Sequence, residues 1–257
     1  MLKKILIKKV MPAILTLGVF SLFGAGAFND TAHKYVTKTS FEAFSDMNCD
    51  DDTRKNYPNL AGASEFFKKD EKEYKELLVS YSTQPDKDET QGIYKYHFYN
   101  PITETNFMNE KESAYKRSKE HFEKAVGNYK NGDKNMAYQE LGRSAHFMED
   151  MNTPVHTAYE LPSDSVKKLP LHVDFEKYCD KFCPECKLEL VPQSLKYYET
   201  NNFEAISRSA ATLSADNFYY LENGKLGKEQ LAKNAVSNAQ KNVSGIMYRF
   251  FTEISKS

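Results

Sequence analysis

The sequence predicts an all-α protein that folds as a single globular multi-helix domain. Apolar residues recur at three- and four-residue spacings along most of the chain, which is the period of an amphipathic helix. No run alternates apolar and polar residues as a half-buried strand does. The 257 residues contain neither an internal repeat nor a Gly/Ser-rich linker, so we expect one domain rather than several.

The helices are predicted in order from this periodicity and from the turn-forming residues between them. Asn131-Gly132-Asp133 separates two long helices in the middle of the chain, and Pro154 is expected to end the second of these. Residues 83–103 are rich in Pro, Asp, Gly and Asn and are predicted to form a long loop. The predicted helices are Thr31–Phe44, Ser64–Tyr81, Glu110–Asn131, Lys134–Met151, Leu171–Leu190, Phe203–Glu222 and Lys228–Ile254.

The N-terminal segment has the features of an export signal. Four lysines precede an apolar stretch from Val10 to Phe23, and Ala25-Gly26-Ala27 follows, the small-residue pattern that signal peptidase accepts. The apolar stretch is shorter than the roughly 20 residues that span a bilayer. We therefore predict a signal peptide over 1–27, a secreted protein that begins at Phe28, and a catalytic domain over 28–257.

Charge and cysteine content restrict the classes of partner and the compartment. The chain has a formal charge of -1, but without residues 1–27 it keeps 31 basic and 36 acidic residues and is acidic, which argues against duplex nucleic acid as a partner. The four cysteines are Cys49, Cys179, Cys183 and Cys186. In an exported protein an even number favours one or two surface disulfides, although Cys183-x-x-Cys186 also has the spacing of half a zinc knuckle.

Histidine and carboxylate residues are concentrated in one part of the sequence. His146 and Asp150 are four residues apart on one predicted helix, so their side chains share a face. His156 follows Pro154, and His172 and Glu176 repeat the four-residue spacing on the next helix. Imidazole and carboxylate groups held at such spacings suit zinc. Each pair alone could be a structural contact, but together they predict a metal site.

These residues resemble the signature of the bacterial zinc-dependent phospholipase C family, which includes Bacillus-type lecithinases and the catalytic domain of clostridial alpha-toxins. The match rests on the His146-x3-Asp150-x5-His156 spacing, on the LHVDFE segment that holds His172 and Glu176, on YHFYNP with His97, and on Thr31-Ala32-His33. Pro85-Asp86-x-Asp88 stands where that family has a loop aspartate. The resemblance implies a helical fold shared with zinc-dependent single-strand nucleases.

The resemblance also implies three zinc ions. The first would be held by Asp86, His97, His146 and Asp150. The second would be held by His156, His172 and Glu176. The third would be held by His33, by Asp150 as a bridge, and by the amino nitrogen and carbonyl oxygen of Phe28, which become available only after the signal peptide is removed. The sixth histidine, His121, receives no ligand role and is expected to lie on a helix surface.

The implied reaction is attack of a zinc-activated water on the phosphodiester of a phospholipid at a membrane surface, which releases diacylglycerol and a phosphorylated head group. Asp86 is the expected catalytic carboxylate, with Asp88 and Glu89 as alternatives. Lys87 argues against a tight pocket for choline, although Tyr94, Tyr96 or Tyr99 could supply an aromatic ring.

Two other functions remain open at the level of sequence. A secreted zinc-dependent single-strand nuclease would have a similar fold and metal cluster, although Glu176 stands where those enzymes typically have Asp. A non-catalytic, zinc-stabilised helical binding protein would bind metal without hydrolysing either substrate. The preferred interpretation involves neither nucleic acid nor a stable protein partner.

Overall fold

The computed structural model describes residues 30–157, 162–190 and 192–256. Within these residues the fold is all-α, as predicted, and the only β-type pairing is an isolated bridge between Asn100 and Thr105. The predicted signal peptide and Phe28 lie outside the described residues. No helix among the described residues is both long enough and apolar enough to cross a membrane.

The helices are numbered here in chain order. Two short 3₁₀ segments, Lys95–His97 and Cys183–Glu185, accompany them. The α-helices are α1 Asp30–Ser45, α2 Asp51–Asn56, α3 Pro58–Tyr81, α4 Pro85–Asp88, α5 Gln91–Tyr94, α6 Ala114–Lys130, α7 Lys134–Asp150, α8 Pro154–Thr157, α9 Pro162–Phe182, α10 Pro192–Thr200, α11 Phe203–Glu222 and α12 Lys228–Ile254.

The differences from the predicted boundaries involve proline. The helix predicted over 171–190 instead runs from Pro162 to Phe182 and contains Pro170, and the helix α10 begins at Pro192. The predicted loop over 83–103 includes the short helix α4, which begins at Pro85. Proline is favoured in the first helical turn, where its missing N–H would have no partner in any case. Interpreting Pro85 only as a turn former of a long loop was therefore wrong.

The helix α12 lies at the centre of the domain and contacts α1, α6, α7, α9 and α11. Its inward face carries Val243, Ile246, Met247 and Phe250, which are all fully buried. The helices α6 and α7 pack along each other, and α7 also packs on α3. At that crossing a Cβ atom on Gly142 would lie 2.4 Å from the carbonyl oxygen of Leu78. Only glycine allows this approach, which brings α7 next to the C-terminal end of α3.

The prediction of surface disulfides is wrong for this structure, since all four cysteines are free thiols. Cys179, Cys183 and Cys186 are buried and form part of the hydrophobic core, while Cys49 is half-buried. Burial raises the pKa of the Cys179 and Cys183 thiols. The three thiols therefore act as small apolar core residues, a role that the number of cysteines alone does not reveal.

Candidate metal centre

Eight of the predicted site residues converge on one region of the domain, which we call the histidine cluster. The segments that supply them are α1, α4, the first 3₁₀ segment, α7, α8 and α9. Phe28, the ninth predicted residue, lies outside the described residues. The side chains of the histidine cluster are His33, Asp86, His97, His146, Asp150, His156, His172 and Glu176.

The centre of the cluster is formed by His97, His146 and Asp150. The His97 Nδ1 atom lies 3.0 Å from Asp150 Oδ2 and 3.0 Å from His146 Nε2. Asp86 approaches from α4, with its Oδ1 atom 3.5 Å from His97 Nδ1 and 3.6 Å from His146 Nε2. These four residues are the ones that the resemblance assigns to the first zinc ion.

His33 joins this group from α1. Its ring stacks on that of His146, with centroids 4.1 Å apart, and its Nε2 atom lies 3.8 Å from Asp86 Oδ2. His33, Asp86 and His146 thus form a further set of potential ligands that shares His146 with the central group. The grouping of His33 with Asp86 was not part of the expectation from sequence, which placed His33 with Asp150 and Phe28.

The second group, His156, His172 and Glu176, lies beside the first. The His156 Nε2 atom is 3.2 Å from His172 Nε2 and 3.3 Å from Glu176 Oε1, and His172 Nε2 is 2.6 Å from the same carboxylate oxygen. The peptide backbone connects the two groups, because His156 Nδ1 donates to the carbonyl oxygen of His97 at 2.8 Å. The ring of Phe98 stacks on that of His156.

Burial controls the electrostatics of the cluster. It lowers the pKa of His33, His97 and His146, and lowers that of His156 to about 4. It also raises the pKa of Asp150 well above its usual range, and raises those of Asp86 and Glu176 to about 8. The histidines therefore favour the neutral form in which they bind metal, and the carboxylates need a cation to ionise easily.

The residues present fit zinc. In a tetrahedral site with bonds of about 2.0–2.2 Å, two ligand atoms lie roughly 3.3–3.6 Å apart. Distances of 3.5, 3.6 and 3.5 Å in the first group, and the 3.3 Å distance between His156 Nε2 and Glu176 Oε1 in the second, fall in this range. The Oδ1 atoms of Asp86 and Asp150 are buried and have no hydrogen-bond partner among the residues that the structure describes. Such unsatisfied buried acceptors are costly, and a metal ion is the kind of group that would satisfy them.

One buried carboxylate of this region was missed by sequence reasoning. Glu149 is fully buried, contacts His33 Nδ1 with its Oε2 atom, and accepts a hydrogen bond from Thr37 Oγ1 at 2.7 Å. Burial raises the pKa of Glu149. Its spacing from His146 does not fit the four-residue pattern, and its partners lie more than 100 residues away on α1, so no local signal marked it.

The expectation that His121 lies on the surface is wrong. His121 is buried between Glu89 and Glu140, with its Nε2 atom 2.9 Å from Glu89 Oε1. Arg117 and Arg143 bind Glu89 from the same side, at 2.7 and 2.9 Å. We call these five residues the His121 network. A signal was present in the sequence, because His121 follows Ala114 and Ser118 on the buried face of α6.

The structure also separates the three acidic residues of the segment 86–89. Asp88 forms an ion pair with Arg143, and Glu89 belongs to the His121 network. Asp86 alone among the three approaches the histidine cluster, where 13% of its side chain is exposed. That is the largest exposed fraction in the cluster, so Asp86 lies where the cluster opens to solvent.

The aromatic residues considered for head-group binding occupy three different environments. The Tyr94 ring lies 5.6 Å from that of His97, and Tyr94 has a left-handed backbone with φ 58°. Tyr99 is buried in the core, and Tyr96 is covered by Lys95 and Arg117. The Lys87 ammonium lies 3.6 Å from Asp30. Tyr94 is therefore the one of these three tyrosines that is placed beside the cluster.

Comparisons with known proteins agree with this arrangement. The chain is 27% identical over 197 residues to a phospholipase C of Clostridium perfringens, and 24% identical over 198 residues to one of Clostridium novyi. Each match covers 68% of this chain but only 48% and 49% of the relative, so the chain spans about half the length of these curated relatives.

Solved structures support the same fold. The alpha toxin from Clostridium absonum superposes with a TM-score of 0.68 at 21% identity, over 91% of this chain and 65% of the toxin chain. The Clostridium perfringens alpha-toxin isolated from an avian strain gives a TM-score of 0.67 at 23% identity, over the same shares. The sequence profile described as "Zinc dependent phospholipase C" matches residues 52–225. Together with the geometry above, this match shows that the chain belongs to the zinc-dependent phospholipase C family.

Proposed function

We propose that this protein hydrolyses the phosphodiester bond of phospholipids at a membrane surface to give diacylglycerol and a phosphorylated head group. The observation that carries the proposal is the pair of adjacent buried ligand groups, with Asp86 at the point where they open to solvent. Family membership and the name phospholipase C of the relatives support this choice of reaction.

We assign three zinc ions to the site. The groups formed by Asp86, His97, His146 and Asp150, and by His156, His172 and Glu176, would each hold one ion. His33 would hold the third together with Asp150 and the backbone amino and carbonyl groups of Phe28. The proximity of His33 Nε2 to Asp86 supports a compact cluster in which neighbouring ions share ligands.

When bound, the zinc ions would lower the pKa of a water molecule and neutralise charge on the phosphoryl oxygens. The protein's own part is to hold that water and the substrate in place. Asp86 is suited to orient the water or to accept its proton, because its side chain has the largest exposed fraction in the histidine cluster. The rings of His33 and His146 are fully buried and stack on each other, and their Nε2 atoms lie 3.8 and 3.6 Å from the carboxylate oxygens of Asp86. They therefore exclude bulk water from this side of Asp86.

Export forms part of the proposal. A protein cleaved between Ala27 and Phe28 would begin five residues before His33 in the sequence, so the new amino group would be available to the third ion. Sequencing the N-terminus of protein recovered from culture medium tests the cleavage site. Protein that retains residues 1–27 should bind one zinc ion fewer than protein that begins at Phe28.

The enzymatic test compares two substrates. Purified protein of sequenced N-terminus is incubated with phosphatidylcholine vesicles and with single-stranded DNA, and the release of phosphorylated head group and of nucleotide is measured. We expect head-group release, and we expect the substitution Asp86→Asn to reduce it by about 10²- to 10⁴-fold. Asp88→Asn is the matched control, because Asp88 belongs to the same segment but pairs with Arg143.

Each alternative has a distinct outcome. Release of nucleotides alone would show a single-strand nuclease and refute the proposal. Bound zinc without hydrolysis of either substrate would indicate a zinc-stabilised binding protein. Equal losses in Asp86→Asn and Asp88→Asn would contradict the role of Asp86 but not the reaction.

A further inference from the structure

Glu149 is a buried carboxylate that the proposed mechanism does not use. It lies on α7 next to Asp150, and its side chain is fully buried. Both of its oxygens have partners on α1: Oε2 contacts His33 Nδ1, and Oε1 accepts a hydrogen bond from Thr37 Oγ1. The carboxylate thus connects α7 to His33 and Thr37, which are one turn apart on α1, at the edge of the histidine cluster.

Two other histidines of the cluster show what such a contact does. The Nδ1 atoms of His146 and His156 lie 2.8 Å from the backbone carbonyl oxygens of Ser82 and His97, respectively. A carbonyl oxygen can only accept a hydrogen bond, so both rings carry a proton on Nδ1 and present an unprotonated Nε2. In both residues Nε2 is the atom that faces the carboxylates, at 3.5 Å from Asp150 Oδ2 and 3.3 Å from Glu176 Oε1.

His33 has the same orientation, with a different acceptor. Its Nδ1 atom contacts Glu149, and its Nε2 atom faces Asp86 at 3.8 Å. That distance is too long for a hydrogen bond and lies just above the roughly 3.3–3.6 Å separation of two ligands of one zinc ion. Among these three histidines, His33 is the one whose Nδ1 atom meets a carboxylate instead of a backbone carbonyl.

We infer that Glu149 is a positioning residue that holds His33 as the Nδ1–H tautomer and so directs Nε2 toward the metal. A carboxylate that accepts a hydrogen bond from Nδ1–H makes the ring a more basic ligand, and loss of such partners reduces metal affinity by about 10- to 100-fold. The inference rests on the proposed metal centre, but it concerns a contact that also exists without metal.

The first measurement uses zinc-free protein. The ¹⁵N chemical shifts of the His33 ring distinguish the Nδ1–H from the Nε2–H tautomer. In the unsubstituted protein we expect the proton on Nδ1. In Glu149→Gln the side-chain amide oxygen can still accept, so we expect the same tautomer, whereas Glu149→Ala should give a mixture of the two.

The second measurement is zinc affinity, determined by competition with a chelator. Glu149→Gln keeps a hydrogen-bond acceptor but replaces the carboxylate, so we expect the weakest-bound ion to be held about 10-fold less tightly. For Glu149→Ala we expect about 100-fold. Asp70→Asn is the control for destabilisation alone, because Asp70 is a buried carboxylate that accepts from Tyr138 and Lys134 away from the cluster. The zinc affinity of the Asp70→Asn protein should equal that of the unsubstituted protein.

Two results would overturn the inference. One is a proton on Nε2 of His33 in the unsubstituted zinc-free protein. The other is unchanged zinc affinity in Glu149→Gln. This variant decides the test even if Glu149→Ala does not fold. Failure of the proposed function looks different: the expected tautomer and affinities would be found, but no phospholipid would be hydrolysed.

Discussion

The histidine cluster and the His121 network both bury carboxylates beside histidines, yet their electrostatics are opposite. In the His121 network burial opposes ionisation of Glu89, but His121 and Arg117 outweigh it and lower the pKa of Glu89 to about 2. Three residues earlier, burial raises the pKa of Asp86 to about 8. The cations His121 and Arg117 make this difference. In the His121 network, buried carboxylates are ionised because cationic side chains lie beside them. The histidine cluster has no such side chain among the described residues, so its carboxylates require a bound cation in order to ionise.

The largest effect is expected from removing a shared ligand of the histidine cluster. Asp150 lies 3.0 Å from His97 and 3.5 Å from His146, and we propose that it bridges two zinc ions. We expect Asp150→Ala to retain one zinc ion of three. Losing several kcal/mol of stabilisation by metal should lower head-group release by about 10³-fold, since each 1.4 kcal/mol is a factor of ten.

Zinc content by mass spectrometry and initial rates on vesicles measure these two effects. Asp70→Asn again serves as the control, since it removes a buried charge elsewhere. Three zinc ions in Asp150→Ala would show that Asp150 does not bridge. A single ion lost would show that it binds one zinc and only packs against the other.

The site was more accessible to sequence reasoning than its surroundings were. His146 with Asp150, and His172 with Glu176, lie four residues apart on helices, so each pair is fixed by local geometry. The contact of Glu149 with His33 depends on how α1 packs against α7, which no local pattern encodes. His121 was misplaced for a related reason, because Glu89 and the two arginines reach it from different segments.

As in the site, the helices with a strong local pattern were predicted, and those with a weak local pattern were not. The bounds of α11 and α12 agree with the predicted ranges, because long amphipathic helices that pack on a core carry a strong periodic signal. The helices α2 and α10 were missed. They are short, six and nine residues, and a short helix gives too few turns for a period to be recognised.

Substitutions of His121 and His172 should distinguish the stabilising role of the His121 network from the metal-binding role of the histidine cluster. We expect His121→Ala to lower the free energy of unfolding by about 2–3 kcal/mol, because it removes hydrogen bonds to the buried Glu89 and the half-buried Glu140, while the zinc content stays unchanged. His172→Ala should show the reverse pattern, with loss of zinc as the main effect. Urea unfolding and metal analysis of both variants provide the measurement. Zinc loss in His121→Ala would mean that the network supports the metal centre directly.

The His121 network should also make the stability of the protein depend on pH. The pKa of Glu89 is about 2 in the folded protein against an ordinary value of 4.5, so the folded state binds fewer protons between these values. Its contribution to stability is therefore present above pH 4.5 and is lost as the pH falls toward 2. At about 1.4 kcal/mol per pKa unit, it amounts to at most about 3.5 kcal/mol. We expect the difference in unfolding free energy between the unsubstituted protein and Glu89→Gln to shrink over this range. Acid release of zinc affects both proteins and cancels in the difference. A difference that stays constant down to pH 2 would show that His121 and Arg117 do not hold Glu89 as a charged group.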